Sequence, residues 1–329
     1  MEYLTGGGMR QETLPPALAQ EGEIMLRALV DDLLALSLKV ELVVLRDDRL
    51  EPLRPNPRMQ AVRVGVNASF YPIWEEWISR CDAVWPIAPE TCGLLERFCM
   101  EVEQAGKTLL TCPSAAVRLA ASKLKTIRRL AEHGLPVVET AALAFGDAPS
   151  QYPLVVKPDD GVGCENSRII RQPEQLHAYA GQLGWIVQPL LEGEPLSLSV
   201  LFAQGQARLL SCNRQRVEQT DDGFAFRGIT VNAIRDVDSR WQRLAGEVAL
   251  AIPELWGFVG IDLILTTQGP LILEINPRLT TAYAGLRLAT GENPAGGVLH
   301  LCQTGQLPPI TMRPTGKPVI IDLRKTGDD

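Results

Sequence analysis

Histidine and lysine are scarce in this 329-residue chain, which holds three of the first and seven of the second against 25 arginines. His133, His177 and His300 lie far apart, and the seven cysteines (positions 81, 92, 99, 112, 164, 212 and 302) never form a Cys-x-x-Cys pair. Such spacing builds no local zinc cluster, and no Ser-His-Asp or Cys-His nucleophile set is discernible. Scattered single cysteines read as buried thiols of a reducing compartment, so a cytoplasmic location is expected. Every long apolar run is broken by a charge before it could cross a bilayer, and residues 1–10 lack the basic-then-apolar layout of a secretory signal. A basic tract is missing too. With a net charge of −7, neither nucleic acid nor membrane is expected as a partner. The standard phosphate fingerprints are also absent: there is no Gly-x-x-x-x-Gly-Lys-Ser/Thr, and both glycine clusters miss the dinucleotide spacing, with Gln11 and Asn166 where a third glycine would stand.

What remains is an ordinary globular composition, 46% hydrophobic with 28 Gly and 24 Pro, long enough for two or three compact units. Strand-like runs at 40–45, 61–66 and 83–87 alternate with helical spacing at 74–81 and 91–104, which implies an α/β unit with a parallel sheet. Only Glu2 to Thr5 precede Gly6-Gly7-Gly8, so either the first strand is very short or the gene start lies upstream. A helix carrying Leu119, Lys123, Ile127 and Leu130 is expected, capped by Ser114 or Ser122 and ended by Gly134. Strands at 154–157 and 185–188 flank a helix at 173–181, and 149–153 lead into the first of them. Longer alternating strands follow at 196–202, 207–212, 258–265 and 271–275, with a helix at 239–251 and a last strand at 319–323. The division expected is 1–113, 114–190 and 191–329.

The sharpest feature is Asp262 on one strand and Glu274-Ile275-Asn276 on the next. A three-residue loop (267–269) would set Asp262 opposite Glu274 on one face, with Asn276 two residues on and pointing the same way. Three oxygen-bearing side chains would then converge, as suits magnesium held by a few carboxylates and nucleotide phosphates. A two-residue loop would shift the register by one and send the acids to opposite faces. The neighbours of both acids are almost all apolar, so two isolated carboxylates there would repel and be costly to bury without a cation.

A second feature is a strand ending in Lys157, followed by Pro158-Asp159-Asp160-Gly161-Val162-Gly163. Glycines let backbone N–H groups close on phosphate oxygens, and the lysine adds a fixed charge, although a plain turn would look the same. The order carries more than any single residue: lysine helix, lysine strand with glycine loop, a strand at 187–191, then the acidic hairpin.

In that order the sequence resembles the ATP-grasp family, most strongly from 114 to 281. The resemblance implies an α/β (α+β) chain, the ATP-grasp fold with an N-terminal Rossmann-like pre-ATP-grasp domain, the lysines and phosphate loop in 114–190 and the metal hairpin in 191–329. It implies that Lys123 and Lys157 contact the α- and β-phosphates of ATP, and that residues 159–164, with Asp159, Gly161 and Gly163, cover the triphosphate. Val187-Gln188-Pro189-Leu190-Leu191 would bind adenine, through the Pro189 carbonyl and the Leu191 N–H. Asp262, Glu274 and Asn276 would hold magnesium or manganese, two ions in all, and Arg278 would steady the transferred phosphoryl group beside Lys157. Two positions depart from the pattern. The acid that holds the ribose falls near Pro195, leaving Glu194 as its substitute, and Gly260 stands where peptide-ligase relatives often carry arginine.

Within the family the likeness is to tyramine–glutamate ligases of methanofuran-type cofactor synthesis. It is carried by residues 2–8, Ala88-Pro89-Glu90-Thr91, Leu210-Ser211-Cys212-Asn213-Arg214-Gln215 and 276–281. The resemblance implies an enzyme that phosphorylates the glutamate side-chain carboxylate with ATP and lets an amine, tyramine, displace phosphate, and it implies a homodimer. Asn213, Arg214, Arg227, Thr280, Thr281 and Arg287 are the candidates for holding the acidic amino acid, an anion that needs cations in an acidic protein. Phe70, Tyr71, Trp74, Phe224, Phe226 or Tyr283 could stack on an aromatic amine, or simply be core. The rival readings are another ligase of the D-alanine or carboxylase type, a nucleotide-binding kinase or regulator, and a Rossmann oxidoreductase.

Overall fold

The computed structural model describes residues 1–143, 152–164, 166–179, 181–309 and 316–323. The chain opens with the Glu2 region pairing by one parallel bridge to Ile87, a first strand reduced to a single contact. Helix α1 (Pro16–Ala35) follows, with proline at its first turn and Met25, Leu26, Leu29 and Val30 buried at helical spacing. Strands β1 (Leu42–Asp47) and β2 (Met59–Val64) pair in parallel, as do β3 (Ala83–Val84) and β4 (Thr108–Leu109). Helices α2 (Phe70–Arg80) and α3 (Leu94–Gln104) share a buried cluster with Val64 and Val84 of these strands, and Phe70, Trp74 and Phe98 form an edge-on aromatic cluster with Tyr3. Three of the aromatics considered for stacking on an amine, Phe70, Tyr71 and Trp74, are therefore core or packed on it.

The single helix expected around Lys123 is two. Ser122 is extended between α4 (Ser114–Ala121) and α5 (Lys123–Glu132), and its Oγ accepts the Lys125 N–H at 3.2 Å, so the serine caps a new helix instead of continuing the old one. Lys123 thereby becomes the first residue of α5. Beyond it, β5 (Ala141–Ala142), β6 (Leu154–Pro158), β7 (Arg168–Ile170) and β8 (Trp185–Pro189) form an antiparallel sheet in the order β5-β8-β6-β7. The expected helix at 173–181 is a 3-10 segment, Pro173–Tyr179. This sheet has a small core of its own, Leu154, Val156, Ile170 and Val187. Residues 149–151 of the expected lead-in lie outside the described residues.

The largest sheet is antiparallel, ordered β13-β12-β9-β10-β11-β14. Its strands are β9 (Glu194–Ala203), β10 (Gln206–Gln219), β11 (Phe224–Ile234), β12 (Gly257–Thr266), β13 (Gly269–Asn276) and β14 (Val319–Asp322). Helix α6 (Arg240–Ala251) covers one face, and α7 (Tyr283–Thr290) and α8 (Pro294–Thr304) pack with α1 on the other. Leu196, Val200 and Val259 of this sheet, with Trp241 of α6, belong to the same buried cluster as Val64 and Phe98, so the N-terminal strands and the large sheet share one core. Among the described residues no helix is long and apolar enough to cross a membrane.

The hairpin turn corrects one expectation. Thr266 pairs with Gly269, so the loop has two residues, the case that should have separated the acids. Strand β13 then carries a bulge: Leu263 pairs with Ile272 while Asp262 pairs with Glu274, leaving Leu273 as the extra residue. The bulge restores the register that the short turn removed, and both carboxylates share a face. Gly260, opposite Asn276, also gains a reason. A Cβ there would lie 2.6 Å from the Thr280 methyl, so Gly260→Arg should lower the melting temperature by several degrees, read by thermal unfolding.

Candidate active site

Between the small sheet and the large one lies a cavity of about 370 Å³, in the range of small-molecule sites. Its polar floor comes from the hairpin. The Asn276 Nδ2 donates to Asp262 Oδ2 at 3.1 Å, and Gln215 Nε2 of β10 donates to Asp262 Oδ1 at 3.1 Å. Opposite them, Lys123 Nζ lies 3.4 Å and Lys157 Nζ 3.8 Å from Glu274 Oε2. Lys157 is there because β6 ends at the cavity mouth, and Lys123 because the break at Ser122 turns the start of α5 inward.

Burial pushes the Asp262 carboxyl up to about 7, and the negative charge of Glu274 adds to the push. Burial acts on Glu274 in the same sense, but the two ammonium groups outweigh it and hold this carboxyl below its usual range. Without a cation, Asp262 is the member of the pair that takes up a proton as pH falls below about 7. Burial likewise pulls Lys157 down, against the opposing charge of Glu274. Among the described residues no group of three or more His, Cys, Asp or Glu side chains gathers as a metal cage. Two carboxylates and the Asn276 amide, whose oxygen is left over when its nitrogen serves Asp262, fit a hard cation that takes its other ligands from phosphates or water.

The glycine loop forms one wall, with Gly161, Val162, Gly163 and Cys164 lining the cavity. Gly163 has φ +62°, a left-handed conformation that favours glycine. Asp159, expected at the nucleotide, is instead an anchor. Its Oδ1 accepts the Leu124 N–H at 2.8 Å and its Oδ2 the Ser122 hydroxyl at 2.6 Å, fastening the loop to the start of α5. Lys123 Nζ also donates to the Gly161 carbonyl at 2.5 Å. Asp159→Ala should therefore cost about 1 kcal/mol of stability as a lost helix cap, and it should weaken ATP binding several-fold, measurable by thermal unfolding and calorimetry.

At the far end, Gln188, Pro189, Leu190 and Leu191 line the cavity beside Val155 and Leu263. The Leu190 N–H is bonded to the Pro153 carbonyl at 3.0 Å. In an extended chain the carbonyl before that residue and the N–H after it point the other way, the donor–acceptor pair an adenine edge requires. Glu194 is not at the cavity. It forms an ion pair with Arg214 on the opposite face, while Gly193, Pro195 and Ser197 face inward.

The substrate candidates divide. Thr280 and Thr281 line the cavity beside Arg278. Asn213 is fully buried, its amide bonded to Ser197 and Ser199 and its oxygen accepting from Ser211 and the Asn232 N–H. Arg214 is spent on Glu194, Arg227 pairs with Glu218 at 2.7 Å, and Arg287 reaches Asp32 at 3.5 Å. None of these four lines the cavity. Phe224 and Phe226 do, whereas the Tyr283 hydroxyl is buried against Asp32. Among the lining residues that escaped the sequence reading are Gln215 and Gln219 of β10, and Glu21 of α1, whose Oε2 accepts the Thr281 hydroxyl at 2.7 Å. The alternation Asn213, Gln215, Val217 was the available signal for the first two, and the spacing of residues 25–33 for α1.

Residues 40–117 match the pre ATP-grasp 3 domain and residues 120–282 the ATP-grasp domain. A tyramine–L-glutamate ligase of Methanocaldococcus jannaschii is 27% identical over 206 residues, 63% of this chain; the match spans 58% of that relative's length. A crystal structure of an ATP-grasp superfamily protein from Archaeoglobus fulgidus superposes with a TM-score of 0.66 at 20% identity, covering 95% of this chain and 96% of that one. An L-amino acid ligase from Bacillus licheniformis gives a TM-score of 0.66 at 16% identity, over 85% of this chain and 72% of that one. The two domain matches together take in most of the chain, the superpositions extend the same fold over nearly all of it, and the chain belongs to the ATP-grasp family.

Proposed function

We propose that the protein is an ATP-dependent carboxylate–amine ligase, and that it joins the glutamate side chain to tyramine in methanofuran-type cofactor synthesis. The observation that carries the reading is the convergence on one cavity of Lys123, Lys157, the Asp262–Glu274–Asn276 floor and Arg278, with an apolar slot at one end and hydroxyls at the other. The named relative supports glutamate and tyramine as the pair.

A carboxylate repels an incoming amine, so the reaction needs a better electrophile. In the proposed first step a carboxylate oxygen attacks the γ-phosphorus of ATP and ADP leaves. In the second, the amine nitrogen attacks the acyl carbon, phosphate leaves and the nitrogen gives up a proton. Lys123 and Lys157 offset charge on the phosphates, the glycine loop excludes water, and Arg278 lies where charge on the transferred group develops. Asp262, Glu274 and Asn276 would hold magnesium or manganese, which supplies electrophilic neutralisation of the phosphate oxygens when bound. Tyramine would stack on Phe224 or Phe226. In this reading the lysines and loop would form one wall of the nucleotide site and the large sheet the other, in keeping with a division at 114 and 190.

Phosphate release and product mass test this. Purified protein with ATP and magnesium should release phosphate and form an amide only when glutamate and tyramine are both present; activity with D-alanine alone would discard the substrate assignment. The carboxylate pair adds a pH prediction. Asp262 must lose its proton to bind a cation, so magnesium affinity in the presence of ADP should rise roughly tenfold per pH unit below about 7 and level off above it. Metal titration from pH 5.5 to 8.5 would show it, and a flat profile would remove Asp262 from the metal site.

A further inference from the structure

We propose that Glu90 is a positioning residue for Arg278, holding the guanidinium over the phosphate end of the cavity; this rests on the reading of Arg278 given above. Glu90 lies outside every catalytic part so far described, in the segment between β3 and α3, yet it is 5% exposed and fully engaged. Arg278 Nε donates to both of its carboxylate oxygens at 3.0 Å, and Nη2 lies 3.0 Å from Oε2. Nη1 donates to the Leu279 carbonyl at 3.1 Å. These contacts fix the plane of the guanidinium at two edges, and each terminal nitrogen still has an N–H for a ligand.

The same segment also touches the glycine loop. The Thr91 hydroxyl donates to the Asp160 carbonyl at 3.1 Å, and the Cys92 N–H donates to the Asp160 carboxylate at 2.8 Å. Three consecutive residues of the N-terminal part therefore contact the arginine and the glycine loop, which are separated by over a hundred positions in the chain. Cys92 takes a left-handed φ of +55° to allow it, a conformation a non-glycine residue adopts at a cost.

Steady-state kinetics on Glu90→Gln, Arg278→Lys and the double variant of the full chain would test this. Glutamine keeps the size and one acceptor oxygen but lets the guanidinium swing. Glu90→Gln should lower kcat about 100-fold, the scale of a misplacement of about 1 Å, with KM for ATP nearly unchanged. The double variant should be no slower than Arg278→Lys alone, because a positioning residue has nothing left to position. Should Glu90→Gln prove unstable, Glu90→Asp, which keeps the charge but falls short of the fork, should show the same kcat loss at a normal melting temperature. Full activity in either variant, or losses that multiply in the double variant, would overturn the proposal. If Arg278→Lys and Arg278→Ala are themselves fully active, the ligase reading of Arg278 falls as well.

Discussion

Asp262→Asn should lower kcat about 1,000-fold while leaving the ligand-free protein as stable as the parent, or more stable. The loss follows from removing a charged cation ligand, worth several kcal/mol of transition-state stabilisation at about 1.4 kcal/mol per tenfold. The stability effect has the opposite sign for a reason that can be worked out. The folded carboxyl titrates near 7, above its unfolded value, so the folded chain binds the extra proton and loses stability as pH rises between about 4 and 7. Asparagine carries no such penalty. The difference in melting temperature between variant and parent should therefore be near zero at pH 4, widen up to pH 7 and stay constant above it. A parallel fall in activity and stability would mean instead that Asp262 is a structural residue of the hairpin.

Arg278→Ala should cost a similar amount, about 1,000-fold in kcat, by a different route. A guanidinium aimed at a transferred phosphoryl group contributes 10³ or more in comparable phosphoryl transfers, and it does so without binding the nucleotide's base or ribose. ADP affinity, measured by calorimetry, should stay within about threefold of the parent, because Lys123, Lys157 and the Gln188–Leu191 slot are untouched. Arg278→Lys should recover only part of the loss, since an ammonium cannot bridge Glu90 and a phosphate oxygen together. A variant that loses ADP binding along with turnover would place the arginine in the nucleotide site proper.

The sequence made the chain order of the site legible, because lysines were rare enough to stand out and the acids sat among apolar neighbours. It misjudged faces. Arg214 drew attention by its charge, but adjacent strand residues point to opposite sides, and it is Gln215 next to it that reaches Asp262. Glu194 failed for the same reason beside Pro195. The hairpin shows a deeper limit. The Asp262–Glu274 pairing was anticipated through a three-residue loop, whereas the molecule reaches it with a two-residue loop and a bulge at Leu273. Two local irregularities cancel, and nothing in the pattern of apolar residues announces either one. Helix α1 was passed over altogether, and Glu21 with it, although Pro16 and the run from Met25 to Val30 carry ordinary helical signals.

The private core of the small sheet has a consequence for turnover. Leu154, Val156, Ile170 and Val187 pack on one another, apart from the large cluster beneath the other sheet. A layer with a core of its own can open locally while the main core stays packed. Amide protons of β6 and β8 should accordingly exchange with deuterium sooner than those of β9 and β12, and bound nucleotide should narrow the gap.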